Sequence, residues 1–109
     1  MPLVTHVFNQ QQRIEKGRIV ADDPVFRRAN FEYDASGNNV VISIEPNLSP
    51  KRARLIRQDG FTLTYQGDDP RFLFVLECWP DNGTIKRLSV FRQDAGVEFR
   101  YISDHQDRM

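Results

Sequence analysis

The stretch FTLTYQGDDPRFLFVLECWPDNG, residues 61–83, decides the fold class. Its first part places Phe61, Leu63 and Tyr65 on one side of an extended chain, with threonine and glutamine on the other. A period of two is typical of a half-buried antiparallel strand. The turn signal GDDP separates this run from a second apolar run, and PDNG ends the second run. The stretch therefore predicts two neighbouring strands joined as a hairpin.

The same alternation recurs along the chain. It is seen in PVFRRANFEYD (24–34), VVISIE (40–45) and VEFRYIS (97–103), with turn residues between the runs. The sequence EKGR around Gly17 predicts one more hairpin. Consecutive strands joined by short turns are antiparallel neighbours, and closing the sheet pairs its edges. We therefore predict an all-β fold, an antiparallel meander of seven or eight strands forming a small up-and-down barrel or half-barrel.

One segment, NLSPKRARLIRQDG, fits two structures. A short helix near residues 49–58 would have Ser49 as its N-cap and Gly60 just past its end, which gives an α+β alternative. A strand followed by a three-residue loop over 58–60 is favoured, because it places the apolar residues on the face of the aromatic row. The register of that strand would pair Arg57 with Phe61, Leu55 with Leu63 and Ala53 with Tyr65.

Length and charge limit the function classes. A chain of 109 residues predicts one domain over residues 1–109. Fifteen basic and fifteen acidic side chains give a formal net charge of zero. This balance removes the long-range steering that dedicated nucleic-acid-binding and membrane-surface proteins use. It also gives little colloidal repulsion, which favours self-association.

Cysteine and histidine provide no catalytic or metal motif. The single cysteine, Cys78, excludes an internal disulfide and a zinc site built on several thiolates. By its parity with Phe72 and Phe74 it is predicted to be a small buried side chain rather than a nucleophile. The histidines, His6 and His105, lie near the chain ends and form no ligand cluster with recognisable spacing. We predict no catalytic residue, no metal and no cofactor.

The sequence also gives an expectation about location. The N-terminus MPLVTHVFNQQQR lacks a charged leader followed by a long apolar run, and no window is as apolar as a membrane span. We therefore expect a cytoplasmic protein without a membrane partner.

Aromatic side chains make up 11% of the chain and lie mainly on the predicted apolar faces. They fill the interior of a small barrel, which we favour, or they line a cavity for a hydrophobic or aromatic ligand. Buried tyrosine hydroxyls need hydrogen-bond partners, so the tyrosines bear most on this choice. The predicted ligand-binding residues are Tyr33, Tyr65, Phe72, Phe74, Phe99 and Tyr101.

The strand RFLFVLECWP, residues 71–80, is apolar on both faces. The face opposite Cys78 is too apolar to be left in water without a reason. Three covers fit the sequence: the N-terminal segment, a short helix over 50–58, or a second copy of the chain in a homodimer. The predicted interface residues are Leu73, Val75, Trp79, Leu88 and Val90.

The run KRARLIR, residues 51–57, is the most concentrated charge in the chain. It predicts either a solvated outer face, which net neutrality favours, or a patch that binds an anion or a phosphate backbone. The predicted anion-binding residues are Lys51, Arg52, Arg54 and Arg57.

These features favour a binding protein over an enzyme. The leading hypothesis is a non-enzymatic module that takes a small hydrophobic or aromatic ligand at the mouth of the barrel. The alternatives are a protein-interaction or self-associating domain, and an anion or nucleic-acid binder that uses the 51–57 run. Nucleic acid is the least favoured partner because the chain has no net positive charge.

Overall fold

Ten β-strands form the protein, as described by a computed structural model that covers residues 3–81 and 83–103. In this part of the chain there is no helix, and so none that is long and apolar enough to cross a membrane. In sequence order the strands are β1 (Leu3–Phe8), β2 (Gln10–Glu15), β3 (Arg18–Asp23), β4 (Arg27–Tyr33), β5 (Asn39–Glu45), β6 (Leu48–Asp59), β7 (Thr62–Gly67), β8 (Phe72–Cys78), β9 (Ile85–Arg92) and β10 (Val97–Ile102).

All ten strands belong to one antiparallel sheet with the order β1-β4-β5-β6-β7-β8-β9-β10-β2-β3. β1 stands at one end of this order and β2 next to the other end, yet only Asn9 separates them in the chain. The Asn9 amide donates a hydrogen bond to the carbonyl of Ile102, 3.1 Å away, at the end of β10. The sheet must therefore curl until its two ends approach each other. This curled half-barrel confirms the predicted fold class.

The strand count is slightly higher than predicted, and β1 is a strand that the sequence pattern does not predict. β1 and β2 run on from one another through Asn9, and β3 and β4 through residues 24–26, which include Pro24. Proline has no amide hydrogen to donate to a sheet, so pairing stops there. The two long strands form one bent hairpin whose turn has positive φ at Lys16 (53°) and Gly17 (76°). Two such residues are typical of a type I′ turn, and the predicted EKGR hairpin is confirmed.

Residues 48–59 form a strand, as favoured, and not a helix. The predicted register of β6 on β7 is wrong, because the turn has two residues rather than three. Asp59 pairs with Thr62, and Gly60 occupies the first turn position with φ of +62°, which suits a type II′ turn. A bulge at Ile56 then shifts the register, so that Leu55 pairs with Tyr65. Phe61 lies in the turn and is exposed, not on the apolar face.

The core fills the concave side of the sheet. Its largest fully buried side chains come from strands all round the barrel. Ala53, Leu55 and Tyr65 also face this side, because Ala53 and Leu55 are two residues apart in β6 and Leu55 pairs with Tyr65. The fully buried large residues are Phe8, Phe31, Ile42, Ile44, Phe74 and Leu88.

Candidate functional site

The interior is not filled to its end. Where β6 and β8 begin and β9 ends, an open pocket of about 520 Å³ remains, which we call the mouth pocket. Its volume falls within the range of about 300–1,000 Å³ that small-molecule sites occupy. The residues of the described chain that line it are Gln11, Asn47, Leu48, Ser49, Lys51, Phe72, Val90, Arg92, Phe99 and Tyr101.

Three of the six predicted ligand-binding residues meet in the mouth pocket: Phe72, Phe99 and Tyr101. Their strands are neighbours through β9, where Val90 completes the apolar lining. Phe72 stacks on Phe74, with ring centroids 6.2 Å apart and planes inclined by 8°. Phe74 lies deeper and has no exposed surface, so it supports the pocket without lining it.

The other two predicted ligand-binding residues, Tyr33 and Tyr65, also lie outside the mouth pocket. Tyr65 is buried in the core, whereas Tyr33 is half-buried and packs against it. Burial raises the pKa of both phenols, and their hydroxyls share a hydrogen bond. This pair satisfies the requirement that buried hydroxyls find partners, which makes the two tyrosines structural.

Cationic side chains surround the aromatic lining. The Lys51 ammonium lies 5.4 Å from the centroid of the Phe72 ring, and the Arg92 guanidinium lies 5.1 Å from it. Arg71 approaches the same ring at 6.0 Å, and Arg13 lies 5.9 Å from the Phe99 ring. Cations at these distances are attracted to an aromatic face. The mouth pocket therefore combines aromatic surface with positive charge.

Three of these cations are paired with neighbouring carboxylates, and one of them, Arg13, lies 2.7 Å from Glu15. Arg71 lies 2.6 Å from Asp69, and its side-chain hydrogen bonds lower the pKa of that carboxyl to about 2. Arg92 lies 3.1 Å from Asp94 and lowers the pKa of that carboxyl through a side-chain hydrogen bond. Lys51 makes no ion pair with any residue that the structure describes.

A hydrogen-bonded polar wall closes one side of the mouth pocket. Gln11 Oε1 accepts hydrogen bonds from Asn47 Nδ2 at 2.8 Å and from Arg27 Nε at 2.9 Å. Asn47 Nδ2 also lies 3.3 Å from the Tyr101 hydroxyl, whose pKa is raised mainly by burial. These contacts fix the amide and phenol groups in place before any ligand arrives.

Sequence reasoning missed Gln11, Asn47 and Arg92 as pocket residues. For Gln11 and Arg92, the feature that could have identified them is that each pairs with an aromatic residue of the neighbouring strand. Gln11 pairs with Tyr101 across β2 and β10, and Arg92 pairs with Phe72 across β8 and β9. That signal becomes readable only when the register is known.

The alternation of β6 divides the basic run between two faces. Lys51 faces inward with Ala53 and lines the mouth pocket. Arg52 and Arg54 are exposed. Arg57 follows the bulge, is exposed, and lies 3.7 Å from Asp59. Of the four residues predicted to bind an anion, only Lys51 lines the mouth pocket, and Lys51 and Arg52 together line a separate small cleft beside Asp68 and Asp69.

The convex face of β8 carries Leu73 and Val75, and Trp79 follows the strand. All three are half-buried. Leu88 and Val90, predicted with them as interface residues, lie instead in the core with 0% and 3% exposure. The reason is the register, which pairs these two with Leu76 and Phe74 on the concave side and leaves Phe91 opposite Leu73.

Several charged side chains share this convex face. Arg87 lies 2.5 Å from Glu77, and Arg100 lies 3.0 Å from Glu98. The Lys86 ammonium lies 4.9 Å from the Trp79 ring. The N-terminal strands lie within the sheet rather than across this face, and the described chain has no helix to cover it. Of the three predicted covers, only a second copy stays a prediction.

Cys78 and His6 provide no reactive pair in the described chain. Cys78 is half-buried against the core, and burial raises its thiol pKa, which disfavours the thiolate. The His6 ring lies 4.8 Å from the Phe8 ring, and burial lowers the pKa of its imidazole. The other histidine, His105, lies outside the described residues.

We therefore base the functional proposal on the mouth pocket. Across residues 3–81 and 83–103, no three His, Cys, Asp or Glu side chains lie where they could hold a metal ion together. Comparison of the chain with protein-family models, curated proteins and solved structures gives no match.

Proposed function

We propose that this chain is a non-enzymatic binding module that takes a small hydrophobic or aromatic ligand into the mouth pocket. One observation carries the proposal: Phe72, Phe99 and Tyr101 line an open volume of about 520 Å³ beside the packed core of the barrel. Aromatic walls with a few fixed polar groups are typical of small-molecule sites.

The lining chemistry favours binding over catalysis. Among the described lining residues there is no histidine, cysteine or carboxylate, so Ser49, Lys51 and Tyr101 have no partner of these types in the lining to activate them. The aromatic and amide groups instead provide an apolar surface beside fixed hydrogen-bonding groups. Such a surface recognises shape and polarity without transforming the ligand.

The affinity expected from this surface is modest. A bicyclic aromatic ligand that buries about 200 Å² of apolar area gains roughly 5 kcal/mol from removal of that area from water. The loss of translational and rotational freedom opposes this gain, and aromatic contacts add about 1 kcal/mol each. We expect dissociation constants of about 10 μM to 1 mM for simple aromatic probes.

Calorimetric titration with a panel of naphthalene derivatives tests the proposal. The matched variants are Phe99→Ala, which removes a pocket wall, and Phe61→Ala, which removes an exposed ring in the β6–β7 turn. We expect saturable binding to the wild type, about five- to tenfold weaker binding to Phe99→Ala, and no change in Phe61→Ala. The proposal fails if no probe saturates, or if both variants bind as the wild type does.

The homodimer and the cytoplasmic location stay predictions. A homodimer would be detected by sedimentation of the wild type, and Trp79→Ala would change its size if the convex face of β8 is the contact.

A further inference from the structure

Positive charge is concentrated in the mouth pocket although the chain as a whole is neutral. The chain has fifteen basic and fifteen acidic side chains. Of the described residues that line the mouth pocket, the charged ones are Lys51 and Arg92, and both are cations. A pocket with one sign of charge and partly apolar walls concentrates ligands of the opposite sign.

Lys51 is the cation in this pair that makes no direct ion pair with a described residue, although its charge contributes to the lowered pKa of Asp69. It faces inward because β6 alternates, with Ala53 two residues on in the core. The carboxylates near the pocket are already engaged, Asp69 by Arg71 and Asp94 by Arg92. No side-chain hydrogen bond or ion pair of Lys51 is found within residues 3–81 and 83–103, and its ammonium has three donors.

The position of Lys51 also determines which surface lies beside a group bound to its ammonium. Its ammonium is 5.4 Å from the centroid of the Phe72 ring, so a group that it binds lies next to aromatic surface. Val90 and Phe99 continue that apolar surface into the pocket. In such a half-buried setting a charge-assisted hydrogen bond is stronger than in open water.

We infer that the ligand of the mouth pocket is an amphipathic anion, with an aromatic or aliphatic body on Phe72 and Phe99 and an acidic group bound by Lys51. The inference rests on the proposed function and adds the charge class of the ligand. Arg92 supports the same preference by its proximity to the Phe72 ring, although Asp94 offsets its charge. A carboxylate, a sulfonate or a phosphate monoester would satisfy the same chemistry.

Three probes of nearly equal shape separate charge from shape: 2-naphthoate, 2-naphthamide and 2-naphthylmethylammonium. Calorimetry at pH 7.5 and moderate salt is expected to show the anion binding about tenfold more tightly than the neutral amide, and the cation binding most weakly. Equal affinities of the anion and the amide for the wild type would overturn the inference and leave the proposed function standing. Absence of binding by all three would overturn both.

Adjacent residues of β6 provide the matched variants. Lys51→Gln removes the inward cation, and Arg52→Gln removes an exposed cation with the same change of net charge. We expect Lys51→Gln to bind naphthoate about as weakly as naphthamide, and Arg52→Gln to keep the wild-type preference. Lys51→Arg retains the charge and should retain the preference. Equal losses in Lys51→Gln and Arg52→Gln would contradict a specific contact with Lys51.

Discussion

At the scale of single residues, His6 shows how burial couples charge to stability. Its Nε2 atom is buried without a hydrogen-bond partner in the described chain, and burial lowers the imidazole pKa below its usual 6.5. In the unfolded chain the imidazole takes up a proton at its ordinary pKa, whereas in the folded protein it resists protonation. Stability is therefore fully present above pH 6.5 and declines as the pH falls toward the folded pKa.

The first prediction follows from the direction of this pH dependence. The free energy of unfolding, measured by urea denaturation, should fall between pH 7.5 and 5.5 in the wild type, and His6→Leu should reduce this slope. Asp34 and Asp69, whose pKa values are about 2, titrate at lower pH, so they do not contribute to the change in stability between pH 7.5 and 5.5. His105→Gln controls for the second histidine. An unchanged slope in His6→Leu would show that another group titrates.

The second prediction concerns Phe74, which has no exposed surface and supports Phe72 from below. Truncation leaves a cavity in a close-packed interior, so Phe74→Ala should lower the free energy of unfolding by about 3–5 kcal/mol. Phe61→Ala, at a ring that is 53% exposed, should change it by less than about 0.5 kcal/mol. Similar losses in the two variants would contradict the assignment of Phe74 to the core.

At the scale of elements, side-chain alternation predicts strands well and their pairing less well. Alternation of apolar and polar residues identifies β7 and β10, and the two-sided apolar run identifies β8, in which buried residues alternate with half-buried ones. The alternation does not show that the chain changes its pairing partner at Asn9, between β1 and β2, because such a change leaves the side-chain pattern intact. The β6–β7 turn differs by one residue from its predicted length, since Gly60 has positive φ in either turn.

The third prediction tests this turn. Gly60 has φ of +62°, a conformation that costs an L-residue about 1–2 kcal/mol, so Gly60→Ala should destabilise the protein by that amount in urea denaturation. Space is not the cause, because nothing lies within 4 Å of an added Cβ. Gln58→Ala, at an exposed position two residues earlier, is the control and should be nearly neutral. A neutral Gly60→Ala would contradict the observed turn.

At the scale of the whole molecule, the site could be predicted only in part. Phe72, Phe99 and Tyr101 could be identified because aromatic residues with interior parity are candidates for any barrel cavity. How deep each ring lies depends on the curl of the sheet, so the sequence pattern cannot distinguish Phe74, which lies in the core, from the rings that line the pocket. Gln11 and Asn47 are 36 positions apart and meet only when the ends of the sheet approach each other.

A titration of ¹⁵N-labelled protein with 2-naphthoate, followed by two-dimensional NMR, tests most directly the proposal that the mouth pocket binds an aromatic ligand. We expect saturable shifts of the backbone amides of Lys51, Phe72, Phe99 and Tyr101, because these residues line the pocket. The amide of Phe61, in the exposed β6–β7 turn, should not shift. Shifts that do not saturate, or that spread over exposed residues and spare the pocket, would contradict the claim.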